Sequence, residues 1–314
     1  HKLKMEGVNQ EVSNKIKESW DEFSSLYEDI CETVTMQSSV NLYSLTRARY
    51  ASKICEVAVG CGLASRLFIS QLMKKDSIYF TSDISSGMTK IYSQRYNESE
   101  FVDSESVKFK SLTLEDTMTV DVEKEVSELG DGVSKVFNLI ANNEQLPYPD
   151  SYFDLYLSSL SMMIVSNHHN QLSEAYRVLE EGGTAGFTVW GRKENSSFFT
   201  FFPEVCKSVG IELPTASRTN FHLGNKESLV KDVKDAGFKS VKAFHTQINP
   251  NIGSAEENFS FITNTPGGKP IYDKCTEEQR ALIKDKYFEE FNTRFGPEST
   301  EFMTWEILIV VAKK

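Results

Sequence analysis

Residues 54–65 read ICEVAVGCGLAS: an apolar run carrying one acid, Glu56, then small residues at every second place, Ala58, Gly60 and Gly62. The run has the composition of a buried parallel strand. The next stretch, LASRLFISQLMKK from Leu63, spaces its apolar residues at three and four, as an amphipathic helix does. A glycine turn between strand and helix lets backbone approach a ligand closely. Glycine takes positive φ without steric cost and has no Cβ, and the helix beyond offers unpaired N–H groups. A purely structural tight turn has the same composition, so this stretch decides the fold class before it decides a function.

From about Lys53 to Trp190, strand-like runs (KICEVAV, SIYFTSD, VFNLIA, FDLYLSSL, GTAGFTVW) alternate with helical ones. That alternation predicts an α/β fold, an open and mostly parallel sheet with helices on both faces. Beyond Trp190, SSFFTFFPEVCKSVG reads as helical, and NKESLVKDVKDAGF starts on an Asn225 cap and stops at Gly237. KSVKAFHTQI reads as a strand. Thr276 and Gln279 make a capping box for the helix that ends before Gly296-Pro297. WEILIVVA is then a final buried strand, the seventh, expected as an antiparallel edge.

Residues 1–50 read as an N-terminal helical lid and 51–314 as the main domain, with a cover segment at 192–225 and an acidic insertion at 98–134. The insertion holds eleven acids against three lysines, so it supplies −8 of the net charge of −11. It is expected to be a loop at the amino ends of the strands, offering a surface for a protein partner or for self-association. The acidic balance argues against a nucleic-acid substrate, and no run approaches the roughly 18 apolar residues of a membrane span. Five scattered cysteines form no C-x-x-C pair and read as reduced thiols of a cytoplasmic protein. HKLKM at the start reads as a tag remnant ahead of Met5.

Asp83 closes the second strand, 21 positions after Gly62, where a carboxylate can accept from both hydroxyls of a ribose. The ligand is therefore expected to be a nucleoside derivative. A dinucleotide fingerprint wants Gly or Ala at position 65, where this chain has Ser65, which disfavours NAD.

At this point the chain resembles the class I, Rossmann-like S-adenosylmethionine-dependent methyltransferases, in particular the small-molecule branch that includes quinone-biosynthesis C-methyltransferases. The resemblance rests on ICEVAVGCGLASRLFI, FTSDISSGM, NNEQLPYPDSYFDLYLSSLSMMIV and EAYRVLEEGGTAGFTVW, in order and at normal spacing. It implies S-adenosylmethionine as cofactor and S-adenosylhomocysteine as product. It also implies that Glu56 and the backbone at Ala58, Gly60 and Gly62 hold the methionine end, and that Asp83 takes the ribose. Ile84, Met88, Asn142 and Asn143 would surround the adenine, Ser158 or Ser159 would border the sulfonium, and Tyr27 would close the pocket from the lid. Four departures stand out: Ala58 for the first glycine, Asn142 for an acid, Glu181 for the usual proline after the fourth helix, and Met163-Ile164 where many relatives have a histidine pair.

Methyl transfer from a sulfonium needs alignment and desolvation more than a metal, and no metal ligand set is expected. On the acceptor side Met162, Phe199 and His222 are the candidates; a packed histidine and a core aromatic are the plain alternatives for the last two. His168 and His169 read as exposed capping residues and Cys61 as a small filler in the turn. The function expected is methyl transfer to a small, lipophilic acceptor, with a catalytically silent methyltransferase-like subunit as the competing reading.

Overall fold

The computed structural model describes residues 7–97, 105–114, 119–213, 219–250, 252–265 and 267–314; the HKLKM start and part of the acidic segment lie outside these. The chain runs through α1 (Gln10–Leu26), a π-helical turn (Tyr27–Cys31), α2 (Glu32–Leu45), β1 (Lys53–Val57), α3 (Leu63–Gln71), β2 (Ile78–Asp83) and α4 (Ser86–Asn97). It continues with β3 (Val107–Leu112), α5 (Val122–Glu128), β4 (Ser134–Ile140), β5 (Phe153–Ser159), α6 (His168–Val178) and β6 (Leu179–Trp190). Last come α7 (Ser197–Ser208), α8 (Lys226–Asp235), β7 (Lys239–Ile248), α9 (Ala255–Asn264), α10 (Lys269–Tyr272), α11 (Glu277–Phe295) and β8 (Trp305–Lys313).

The strands form one eight-stranded sheet in the order β3-β4-β2-β1-β5-β6-β8-β7. Neighbours from β3 to β6 run parallel. β8 runs against β6, since Lys314 N–H donates to Gly183 O and Gly191 N–H to Glu306 O. It lies one place in from β7, as its nearly unbroken burial requires. The order reverses between β1 and β5, so the carboxyl ends of those two strands flank the crevice where open α/β sheets take ligands.

The strand count exceeds the predicted seven by one, and the extra strand comes from the acidic segment. That segment is not the simple loop expected of it: β3 pairs with β4 from Val107–Ser134 to Leu112–Leu139, and α5 follows. Phe109 explains why, because its ring stacks 4.1 Å from Tyr96, so a short alternating run finds a partner on α4. Lys110 joins the strand to α5 through Glu125 and Glu128.

By contact the chain divides into two units, residues 1–189, 225–244 and 308–314, and residues 190–224 and 245–307. In the first, Ile54, Val57, Tyr79, Phe80, Phe137 and Phe153 are fully buried along the sheet. In the second, the aromatic run at 198–202 goes into the core: Phe201 and Phe202 are buried against Tyr287, with Phe259 and Phe291 around them. The Thr276–Gln279 capping box starts α11 as the sequence predicts.

Candidate active site

The turn after β1 holds three left-handed residues, Ala58 (φ 54°), Gly60 (φ 59°) and Gly62 (φ 84°). The conformation is expected of the glycines but strained for Ala58, and Leu160 at the end of β5 is left-handed too (φ 51°). Non-glycine strain thus sits at the ends of both strands that flank the reversal, a place where such strain commonly serves a site.

Gly60 N–H donates to Asp83 Oδ2 at 3.0 Å, and Ser85 N–H donates to Oδ1 at 2.9 Å. The carboxyl is therefore fixed between the β1 turn and the start of α4. Burial pushes its pKa up to about 6, against these two bonds, and the nearby Asp21 charge adds to the rise. Ile84 beside it is half-buried and Met88 buried, 3.3 Å through its Sδ from Cys61 Sγ. Cys61 is buried, and burial raises its thiol pKa well out of the reactive range, in keeping with a filler.

Glu56 points into the core below the turn. Tyr43 Oη donates to both its oxygens at 3.1 and 3.0 Å, and Tyr79 Oη donates to Oε2. Burial raises this carboxyl to about 7, with the two hydroxyls pulling the other way. Its contacts are those of a support beneath the turn.

The two glycines are small for different reasons. A Cβ on Gly62 would lie 2.1 Å from Tyr92 Cδ2, so the packing of α4 on the turn takes that space. A Cβ on Gly60 would lie 3.1 Å from Tyr27 Cε1, so there the ring of the π-helical turn packs on the backbone. Tyr27 Oη is in turn 2.7 Å from Thr35 Oγ1.

Several residues that the sequence reading did not single out tie α1 and α2 to the starts of α4 and α3. Asp21 Oδ1 accepts from Ser85 Oγ at 2.6 Å, Ser86 Oγ at 3.1 Å and Gly87 N–H at 2.9 Å, which caps α4 from another helix. Burial opposes its charge, but the Gly87 N–H, Lys17 and Ser85 hold its pKa at about 2. Glu32 Oε1 accepts the Leu63 N–H at 2.8 Å, placing a carboxylate at the start of α3, and Arg95 bridges Glu32 and Glu28. The run Ser85-Ser86-Gly87 carries a local cap signal; Asp21 and Glu32, lone acids on polar helices, carry none.

On the other side of the crevice, Asn142 Oδ1 accepts the Glu144 N–H at 2.9 Å and its Nδ2 donates to Ser13 Oγ at 3.2 Å. Asn143 is buried, its Nδ2 3.5 Å from Ser161 Oγ. Ser158 Oγ lies 2.6 Å from Ser161 Oγ and accepts from Gln171 Nε2 at 2.8 Å, and Met162 is fully buried beside them. Ser159 Oγ donates to Ser38 Oγ on α2 at 3.0 Å. Tyr27, Glu56, Ala58, Gly60, Gly62, Asp83, Ile84, Met88, Asn142, Asn143, Ser158 and Met162 all belong to the first unit.

Phe199 and His222 belong to the second. Phe199 stacks 4.1 Å from Trp190 and edges Trp305 and Phe221, while His222 is exposed with Nδ1 2.8 Å from Thr219 O. His168 and His169 are not exposed caps: they are the first residues of α6 and partly buried, and Asn167 is the cap, accepting the His169 N–H.

Known proteins agree with this architecture. The family described as methyltransferase domain matches residues 57–187. An uncharacterized protein of Methanocaldococcus jannaschii is 31% identical over 129 residues, 40% of this chain and 58% of that protein. A ubiquinone/menaquinone biosynthesis C-methyltransferase of Rickettsia akari is 30% identical over 118 residues, 32% of this chain and 46% of that one. The chain thus spans less than two-thirds of these relatives. Among solved structures, a chain of the complex between the Haloferax volcanii Trm112 methyltransferase activator and a methyltransferase shares the fold, with a TM-score of 0.52 at 13% identity, covering 95% of this chain and 96% of that one. Residues 57–187 therefore match a methyltransferase domain, and the chain shares the fold of that solved methyltransferase. No described helix is long and apolar enough to cross a membrane.

Proposed function

We propose that the first unit binds S-adenosylmethionine and transfers its methyl group to a small, lipophilic acceptor. The observation that carries the cofactor half is Asp83: a buried carboxylate at the end of β2 whose bonds run to the N–H groups of the glycine turn and of Ser85. A carboxylate with two oxygens and about four acceptor sites has capacity left for a ribose diol after two N–H bonds. The Gly60 backbone, open apart from the Tyr27 ring, fits a close approach by the same ligand.

When bound, the cofactor supplies a methyl group on a sulfonium, a good leaving group. The work left to the chain is to bind, orient and exclude water. Asp83 would hold the ribose through its carboxylate oxygens. Ala58 and Gly60 give backbone to the methionine end, with Glu56 and its two tyrosines holding that turn from below. Met88 and Ile84 flank the adenine, with Asn142 and Asn143 on its polar edge. Ser158 and Met162, at the end of β5, border the methyl. Tyr27 and the α1 lid keep water away, which strengthens each electrostatic contact inside. The similarity to a ubiquinone/menaquinone biosynthesis C-methyltransferase and the charge of −11 favour a small neutral acceptor over a polyanion.

A second reading is favoured by one feature. The lid is closed with Tyr27 over Gly60, and the Gly60 N–H is spent on Asp83. A catalytically silent subunit would keep this arrangement permanently. Transfer of radiolabelled methyl from S-adenosylmethionine into an apolar small-molecule extract separates the two: an enzyme labels a product, and a silent subunit labels none while still folding.

A further inference from the structure

The first unit also holds three metal-ligating side chains together. His168 and His169 open α6, and Asp232 comes from α8. One ligand atom from each lies within 4.8 Å of the others. His168 Nε2 is 3.1 Å from Asp232 Oδ2, and the two imidazole rings are 4.0 Å apart between centroids. The group is partly buried, with His168 and Asp232 side chains 17% and 21% exposed.

We propose that His168, His169 and Asp232 form a binding site for a first-row divalent cation, Zn²⁺ in the first place, with one position open to water. Two imidazoles and one carboxylate are a borderline-soft set of the kind Zn²⁺ takes, with bonds of about 2.0–2.2 Å. Tetrahedral bonds of that length put donors about 3.3 Å apart. The His168–Asp232 pair already has this spacing, at 3.1 Å, and the His169 ligand atom lies within 4.8 Å of both.

A separate observation points the same way. His169 Nδ1 is buried without a hydrogen-bond partner among the described residues, a costly condition for a ring nitrogen unless something outside the chain satisfies it. The backbone that carries the pair is capped as well: Asn167 Oδ1 accepts the His169 N–H at the first turn of α6. Neither the methyl-transfer reading nor the crevice uses these residues. A cation here would tie α6, which leaves the Ser158–Met162 loop, to α8.

The test uses the full chain, stripped with chelator and titrated with ZnCl₂ by calorimetry and with CoCl₂ by visible absorption. Expected are saturable one-to-one binding and a Co²⁺ ligand-field spectrum of nitrogen and oxygen donors without a thiolate charge-transfer band. His169→Ala and Asp232→Asn should each weaken binding at least tenfold while circular dichroism stays unchanged. The absence of saturable binding in the wild-type chain overturns the proposal, as does a thiolate band or binding of equal affinity in folded variants. The wild-type spectrum decides the matter even if a variant misfolds.

Discussion

Asp83→Asn should change the pH dependence of stability in a way that reveals why the carboxylate is there. In the folded chain its pKa is pushed from an ordinary 3.8 up to about 6, mainly by burial. The folded state therefore holds the proton more tightly than the unfolded state. Stability falls as pH rises through the window from about 4 to about 6: below it both states are protonated, and above it both are ionised and the full cost is present. A rise from 3.8 to about 6 corresponds to about 3 kcal/mol at 1.36 kcal/mol per unit. Asparagine carries no such term. It also presents an amide N–H₂ to one of the backbone donors, so the variant has a constant penalty of about 1–3 kcal/mol for an unpaired N–H. The difference in unfolding free energy between the two proteins, from urea titrations at pH 4 and pH 8, should accordingly move by about 2.5 kcal/mol in favour of the variant as pH rises, since the unfolded carboxyl is already partly ionised at pH 4. Parallel profiles would refute the reasoning, since they would mean the carboxyl is not penalised by its site. A residue whose charge costs the empty fold this much is expected to be repaid by a ligand.

Cofactor affinity should itself decline below about pH 6, as the carboxylate proposed to accept the ribose hydroxyls becomes protonated; calorimetry at pH 5 and 7.5 checks this, and equal affinities would contradict it. Gly62→Ala should destabilise by about 3 kcal/mol or more, because the new Cβ meets the Tyr92 ring at a backbone φ of 84°, and thermal unfolding will show whether the loss is that large. Asp21→Ala removes the cap that α1 places on α4, so it should cost about 1–2 kcal/mol and make residues 10–26 more susceptible to limited proteolysis; an unchanged digestion pattern would show that the lid is held elsewhere.

Local grammar made much of this molecule readable in advance. The apolar run before Gly60 and the helix after it could hardly be anything but a strand–turn–helix, and Asp83 closes the next strand, bonded to the Gly60 N–H. The Asn225 cap and the Thr276–Gln279 box mark their helices unaided. What the sequence concealed depends on contacts between distant segments. VKFKSL is too short and too charged to read as a strand until Phe109 is seen stacked on Tyr96. Gly62 looks like Gly60 in one dimension, yet one makes room for Tyr92 and the other for Tyr27. Asp21 and Glu32 resemble any acid on a solvated helix, because the N–H groups they accept from belong to other elements. His168 and His169 read as exposed ends because nothing local announces that Asp232, 64 positions on, would lie beside them.

The most direct test of the account is calorimetric titration of the full chain with S-adenosylhomocysteine and, separately, NAD. The wild-type protein is predicted to bind S-adenosylhomocysteine one-to-one and not NAD, and Asp83→Ala to weaken that binding by about 1–3 kcal/mol through lost charge-assisted hydrogen bonds. Binding of NAD, or S-adenosylhomocysteine affinity that is indifferent to Asp83, would contradict it.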